Sequence, residues 1–288
     1  MVDRRSLLTD ATGTLATAGV PSPRVDAEIL LAHVLGRDRG ALAGVVDVDA
    51  EAALAFNGLV DRRGRREPLQ YLTGEAAFRH VMLAVGPGVF VPRPETEVMT
   101  GWLIDRLTAR VGTPVVLDLC TGSGAIAAAL ADEVPAAEVH AVELDPAALD
   151  FAARNLAGTD VRLALGDLAD ALRLFPDLSG RCDAVIANPP YIPLDAFESV
   201  EREAREFDPP VSLWSGSDGL DAIRGVLAVA AEALTAGGLL AFEHAEVQSA
   251  AVVSLTAASG AFTDIRDNVD LTGRPRYITA TRVARMGG

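Results

Sequence analysis

Two short constellations carry residue types that could do chemistry. The first is Asn188-Pro189-Pro190-Tyr191, inside the stretch CDAVIANPPYIP. It suits a planar NH2 group: the side-chain oxygen of Asn188 accepts one N–H, and the Pro189 carbonyl accepts the other. Two prolines restrict the backbone, so these acceptors stand in place before a substrate arrives. Tyr191 offers a flat face for a planar amide or base. The second constellation is VVLDLCTGSGAIAAAL, which reads strand, glycine turn, helix. Gly122 and Gly124 let the backbone turn tightly after Asp118 and Leu119. A turn at the carboxyl end of a parallel strand is where α/β proteins bind nucleotides. Glu143 closes the next strand, nineteen residues after Gly124, where a carboxylate can accept both ribose hydroxyls of a nucleoside. Asp145 is a rival for that role and reads equally well as a helix N-cap before Pro146. Asp167 is placed to reach an adenine edge or to cap a helix, with Leu168 lining the base.

The elements that must position these residues follow from periodicity. Residues 1 to about 75 repeat apolar side chains at helical spacing, among them Leu7, Leu8, Leu15, Ile29, Leu30 and Val34, with no strand-like alternation. Pro21 and Pro23 separate the first helix from the second, and Gly36 to Gly40 closes the second. The run Arg62, Arg63, Arg65, Arg66 lies near the end of a third helix. It reads either as cations favoured at a helix C-terminus or as a partner-binding patch. From Phe78 the residues favour strands around Gly86-Pro87-Gly88, which predicts a hairpin turning there. After Pro114 short apolar segments alternate with helical ones. The expected strands are Val115–Leu119, Glu138–Val142, Val161–Leu165, Asp183–Ala187 and Leu239–Glu243. Helices are expected from near Gly124, Pro146, Leu168 and Asp218. Two further strands, Ala261–Asn268 and Arg276–Thr281, fit an antiparallel pair. The alternation predicts a mostly parallel sheet covered by helices on both faces.

Composition narrows the function. The chain has 288 residues, half of them apolar, and a net charge of −15. That field repels bare nucleic acid, so a general DNA- or RNA-coating role is not expected. Two cysteines make no disulfide framework, no apolar run reaches the ~18 residues of a membrane span, and the first ten residues hold no export signal. A cytoplasmic protein without a membrane partner is the expectation. There is no G-x-S-x-G, H-E-x-x-H or C-x-x-C, so hydrolase and metal chemistry lack their residues. Cys120 and Cys182 read as buried thiols.

The dinucleotide fingerprint needs glycine where Cys120 stands. The pattern D-x-x-x-G-x-G over Asp118–Gly124 instead resembles motif I of class I S-adenosylmethionine-dependent methyltransferases. Nearly the full chain resembles the HemK-like (PrmC) release-factor glutamine-N5 methyltransferases. The resemblance rests on PLQYLTGEAAF (Pro68–Phe78), GVFVPRPETE (Gly88–Glu97), DLCTGSGAIA (Asp118–Ala127), Glu143 and NPPYIP (Asn188–Pro193). NPPY alone is shared with adenine-N6 DNA and some guanine-N2 RNA methyltransferases; the other segments choose among these relatives.

The resemblance implies an α/β class I methyltransferase domain over 94–288, Rossmann-like, with a mostly parallel seven-stranded sheet. It also implies a small all-helical substrate-recognition domain over 1–75 and a β-hairpin linker over 76–93. The implied reaction is methyl transfer from S-adenosylmethionine to the glutamine amide of the Gly-Gly-Gln motif in class I peptide-chain release factors, with no nucleic acid partner. Carried over residue by residue, Asp118, Leu119, Cys120, Thr121, Gly122, Gly124, Glu143, Asp167 and Leu168 line the donor. Asn188 touches donor and substrate, and Pro189, Pro190 and Tyr191 hold the glutamine; Asn188, Pro189 and Tyr191 are the catalytic set. The family usually has glycine at Cys120 and often an aromatic at Leu168. Arg93 and Glu97 are expected at the pocket's rim or in an interdomain ion pair. The rival readings are a ribosomal-protein glutamine methyltransferase, a nucleic-acid amino-methyltransferase and a non-catalytic nucleoside-binding module.

Overall fold

The computed structural model describes residues 1–284. It divides into two compact units, one formed by Met1–Glu75 with Glu201–Phe207, the other by Ala76–Val200 with the chain from Asp208 onward.

The first unit is helical. It contains α1 (Arg4–Thr17), α2 (Pro23–Val34), α3 (Ala50–Gly64), α4 (Leu69–Thr73) and, from later in the chain, α9 (Arg202–Phe207). Leu8, Leu15, Leu30, Leu31 and Phe56 form its core, the apolar faces that the helical spacing marks. Asp3 and Asp49 cap α1 and α3 by accepting the backbone N–H of Ser6 and Ala52. A pair of two-residue antiparallel strands, β1 (Val2–Asp3) and β2 (Asp47–Val48), departs from the expected absence of strands. Two residues are too few to show an alternation. Three of the four arginines of the run are paired within the unit. Arg63, buried, binds Asp26 at 2.7 Å and Glu203 at 3.0 Å, Arg66 binds Glu203 at 2.7 Å, and Arg62 binds Glu67.

The second unit opens with a hairpin of β3 (Glu75–Phe78) and β4 (Val81–Ala84). Its turn lies at Arg79-His80 and not, as expected, at Gly86–Gly88. Arg79 takes a left-handed φ of 51° and binds Glu133 with two hydrogen bonds, which holds the turn. Gly86 serves packing instead, since a Cβ there would lie 3.1 Å from the Phe151 ring. Beyond α5 (Pro94–Thr108) come β5 (Val115–Leu119), α6 (Ala125–Glu133), β6 (Glu138–Glu143), α7 (Pro146–Asn155), β7 (Arg162–Leu165), α8 (Ala171–Leu174) and β8 (Cys182–Ala187). The unit ends with α10 (Asp221–Ala233), β9 (Leu234–Glu243), α11 (Ser249–Ala258), β10 (Phe262–Val269) and β11 (Pro275–Arg282).

The seven-stranded sheet has the order β10-β11-β9-β8-β5-β6-β7. All its pairings are parallel except those of β11 with β9 and with β10. This is the class I methyltransferase architecture. Side chains of β5 alternate between two cores: Val116 faces the α5–α6 side, and Val115, Leu117 and Leu119 face the α10 side. The helix expected from Leu168 is a 3-10 turn (Leu168–Asp170) followed by the four-residue α8, because Pro176 follows and restricts the residue before it. β9 begins five residues earlier than expected. Gly237 and Gly238 disguise its first half, and a register shift opposite Cys182–Ala184 absorbs them.

Candidate functional site

The sheet order reverses direction at β5, whose neighbours are β8 on one side and β6 on the other. Such a switch point leaves a crevice at the strands' carboxyl ends. Register then brings the sequence constellations together. Leu119 pairs with Ala187 and with Val142, so the glycine turn after β5 stands between Asn188 after β8 and Glu143 at the end of β6. A cavity of about 480 Å3 occupies this crevice.

Of the residues marked in the sequence, Cys120, Thr121, Gly122, Glu143, Asp145, Asp167, Leu168, Asn188, Pro190 and Tyr191 line the cavity. Asp118, Leu119, Gly124 and Pro189 do not. Asp118 shares the Val116 face of β5 and is wholly buried, with Oδ2 accepting the Thr121 hydroxyl at 2.6 Å. Leu119 faces the opposite core. Gly124 closes the packing of the turn on α7, where a Cβ would lie 3.2 Å from Leu156 and φ is +80°. Pro189 is buried. Neither Arg93 nor Glu97 lines the cavity. Arg93 pairs with buried Asp208 at 2.7 Å and lies over the Phe90 ring, within this same unit.

Glu143 is the best-defined polar group of the turn side. Its Oε2 accepts the Gly122 N–H at 2.7 Å and its Oε1 the Asp145 N–H at 2.8 Å. Burial raises its pKa, and these backbone hydrogen bonds oppose the rise. The Leu144 N–H also acts on the carboxylate, and with about four acceptor positions Glu143 keeps acceptor capacity for a ligand. Gly122, at φ +59°, has open space where a Cβ would stand. Asp145 caps α7 through Ala147 N–H, and Asp167 caps its 3-10 turn through Ala169 N–H, each at 2.8 Å. Asp167 is thus a helix cap whose carboxylate also lines the cavity. Leu168 reaches across to Gly225, where a Cβ would collide with its side chain at 2.6 Å. Cys120 has a left-handed φ of 60° and is only partly buried, unlike Cys182. Burial, then the carboxylates of Glu143, Asp118 and Asp167, push its thiol well above the ordinary range.

Around Asn188, several supports have no sequence signal. The segment 191–194 leaving β8 is tied to 213–216 by Ile192 N–H to Leu213 O and Ser215 N–H to Ile192 O, both 2.9 Å. Gln248 Nε2 donates to the Tyr191 carbonyl at 2.8 Å. Asn188 Nδ2 donates to Thr96 Oγ1 at 3.1 Å. Pro209, Val211 and Trp214 add an apolar wall. Pro209 and Gln248 lie 21 and 60 residues from Asn188, too far for spacing to reveal, and Thr96 lies 92 residues before it, inside the PRPETE segment.

Comparison with known proteins agrees with this geometry. A family model described as PrmC N-terminal domain matches residues 6–74, and one described as methyltransferase small domain matches 80–202. A release factor glutamine methyltransferase of Streptomyces coelicolor is 51% identical over 94% of this chain and 95% of its own. One from Mycolicibacterium smegmatis is 49% identical over 99% of this chain and 100% of its own. The chain belongs to the release factor glutamine methyltransferases. Among solved structures, a protein-(glutamine-N5) methyltransferase (release factor-specific) from Alicyclobacillus acidocaldarius is 26% identical, covering 69% of this chain and 98% of that one, with a TM-score of 0.43.

The family's methyl donor is S-adenosylmethionine, and the residues present fit it. The cavity is of cofactor size, Glu143 keeps acceptor capacity facing it, and Leu168 with Val142 and Ala148 supplies an apolar slot. Among the described residues no helix is long and apolar enough to cross a membrane.

Proposed function

We propose that the chain methylates the side-chain amide nitrogen, N5, of the glutamine in the Gly-Gly-Gln motif of class I peptide-chain release factors. The observation that carries this reading is that Asn188 and Tyr191 share one cavity with the Cys120–Gly122 turn and Glu143, in a chain of this family. When bound, S-adenosylmethionine would supply a sulfonium methyl to the glutamine nitrogen and leave as S-adenosylhomocysteine, the displaced amide proton passing to solvent.

The chain's own residues bind and orient. Glu143 accepts the ribose hydroxyls, while Leu168 packs on the base and Asp167 faces its edge. Asn188 Oδ1 accepts one N–H of the glutamine amide, with Tyr191 stacked on the amide plane; Pro189, outside the cavity lining, holds the backbone between them. An amide nitrogen is a poor nucleophile, so alignment is the main lever, worth roughly 7–11 kcal/mol in ideal cases. Burial raises the Tyr191 phenol pKa far above neutrality, so it acts as a neutral surface and not as a base. The helical unit selects the release factor, the net charge disfavours nucleic acid substrates, and the partner assigns the work to the cytoplasm.

The test is transfer of labelled methyl from S-adenosylmethionine to a purified release factor by wild type and Asn188→Ala. Turnover in the variant should fall about a hundredfold or more with donor affinity kept. A variant with wild-type turnover would remove Asn188 from the site.

A further inference from the structure

Asn188 has two chemically opposite ends, an acceptor oxygen and a donor NH2, and only the oxygen suits a substrate N–H. Which end faces the cavity is decided behind it. Asn188 Nδ2 donates to Thr96 Oγ1 at 3.1 Å. Thr96 sits buried in the first turn of α5. A threonine hydroxyl owns one proton, and having accepted from Asn188 it has that proton left to give. Its counterpart is the Glu243 carboxyl, whose ionised form hydrogen bonding from Thr96 favours. Glu243 ends β9 one residue after Phe242, and Phe242 pairs with Ala187, the residue before Asn188. Glu243 is 2% exposed, and its Oε1 has no hydrogen-bond partner among the described residues. A buried carboxyl so poorly satisfied is costly to keep, and such groups call for a functional reason.

We propose that Thr96 and Glu243 are positioning residues for the methyl transfer: Glu243 accepts from the Thr96 hydroxyl, Thr96 accepts from Asn188 Nδ2, and Asn188 is thereby locked with Oδ1 toward the substrate amide. The inference rests on the reading of Asn188 as the acceptor of a substrate N–H. A carboxylate accepts only, so while Glu243 is ionised the hydroxyl cannot reverse. Once Glu243 is protonated, either direction is open and the lock is lost. Burial pushes the Glu243 carboxyl up to about 7; the facing charges are Arg276 of β11, which favours the ionised form, and Glu95 of α5, which opposes it.

The experiment compares kcat, KM for the release factor and donor affinity in Thr96→Val, Thr96→Ser, Glu243→Gln, the Thr96→Val/Glu243→Gln double variant and Asn188→Ala. Thr96→Val should lower kcat about tenfold, the weight of one hydrogen bond, with donor affinity unchanged; Thr96→Ser should restore most of the loss. Because the two residues act in series, the double variant should be no worse than Thr96→Val alone. The wild-type kcat should fall with acid near pH 7, and that limb should vanish in Thr96→Val. A limb that persists there would belong to another group, such as Asp118, and would overturn the inference. So would wild-type kcat in Thr96→Val beside an inactive Asn188→Ala, or losses that add in the double variant. An active Asn188→Ala would instead overturn the reading beneath it. Should Glu243→Gln fail to fold, the Thr96 valine–serine pair decides alone.

Discussion

Replacing Glu143 by glutamine isolates the donor-binding half of the site. In the native site Oε2 accepts from Gly122 N–H and Oε1 from Asp145 N–H, at 2.7 and 2.8 Å. With the Leu144 N–H also directed at it, the carboxylate keeps at least one acceptor position for a ribose hydroxyl. Glutamine keeps the shape but turns one oxygen into an NH2 that accepts nothing. One charge-assisted hydrogen bond to the ribose goes with it, a loss of about 1.5–3 kcal/mol. The dissociation constant for the donor, or for S-adenosylhomocysteine, should therefore rise roughly 10- to 150-fold. The same change leaves one backbone N–H of the turn facing a donor, so the ligand-free protein should also lose about 1–3 kcal/mol. Calorimetric titration gives the first number and urea unfolding the second. An affinity within threefold of wild type, in a folded variant, would refute the assignment of Glu143 to the ribose.

Other expectations follow from the same geometry. Burial pushes Asp118 up to about 7 from an ordinary 3.8. The native state therefore keeps a proton that the unfolded chain has released between about pH 4 and pH 7, and stability falls as pH rises through that window. Asp118→Asn should flatten this slope in urea titrations, and an unchanged slope would contradict it. Arg63→Met strands Asp26 in the core of the helical unit and should cost about 3–5 kcal/mol; a loss under 1 kcal/mol in urea unfolding would contradict it. Cys182 is held at about 12 and Cys120 higher, so neither thiol should alkylate within minutes at pH 8 until the protein is unfolded. Fast labelling of Cys120, read by intact mass, would refute that.

The sheet was legible because its strands are short apolar runs bounded by glycine, proline and acidic residues; β5 emerges with its expected limits, and β6 and β8 are each one residue longer. Glu143 was legible for the same reason, since a strand's final residue and its interval from the glycine turn are sequence properties. The hairpin turn was misplaced because Gly86-Pro87-Gly88 has turn composition, whereas Arg79-His80 turns through a positive φ held by a distant Glu133. Asp118 illustrates a different limit: its type and interval match a ligand-facing acid, but strand alternation sends it to the Thr121 side. Gln248 and Glu243 carry no local signal, and Thr96, although inside the PRPETE segment, shows no partner there, because what makes them part of the site is a fold that returns them to the ends of β8 and β9. Pairing of the arginine run with Asp26 and Glu203 is likewise a tertiary fact.

The central claim is that the glutamine of a release factor receives the methyl group. Peptide mass spectrometry after incubating the protein with S-adenosylmethionine and a release factor carrying Gly-Gly-Gln tests it most directly. The glutamine should gain one methyl, about 14 Da, and no other residue should. Donor binding with no gain there would contradict it.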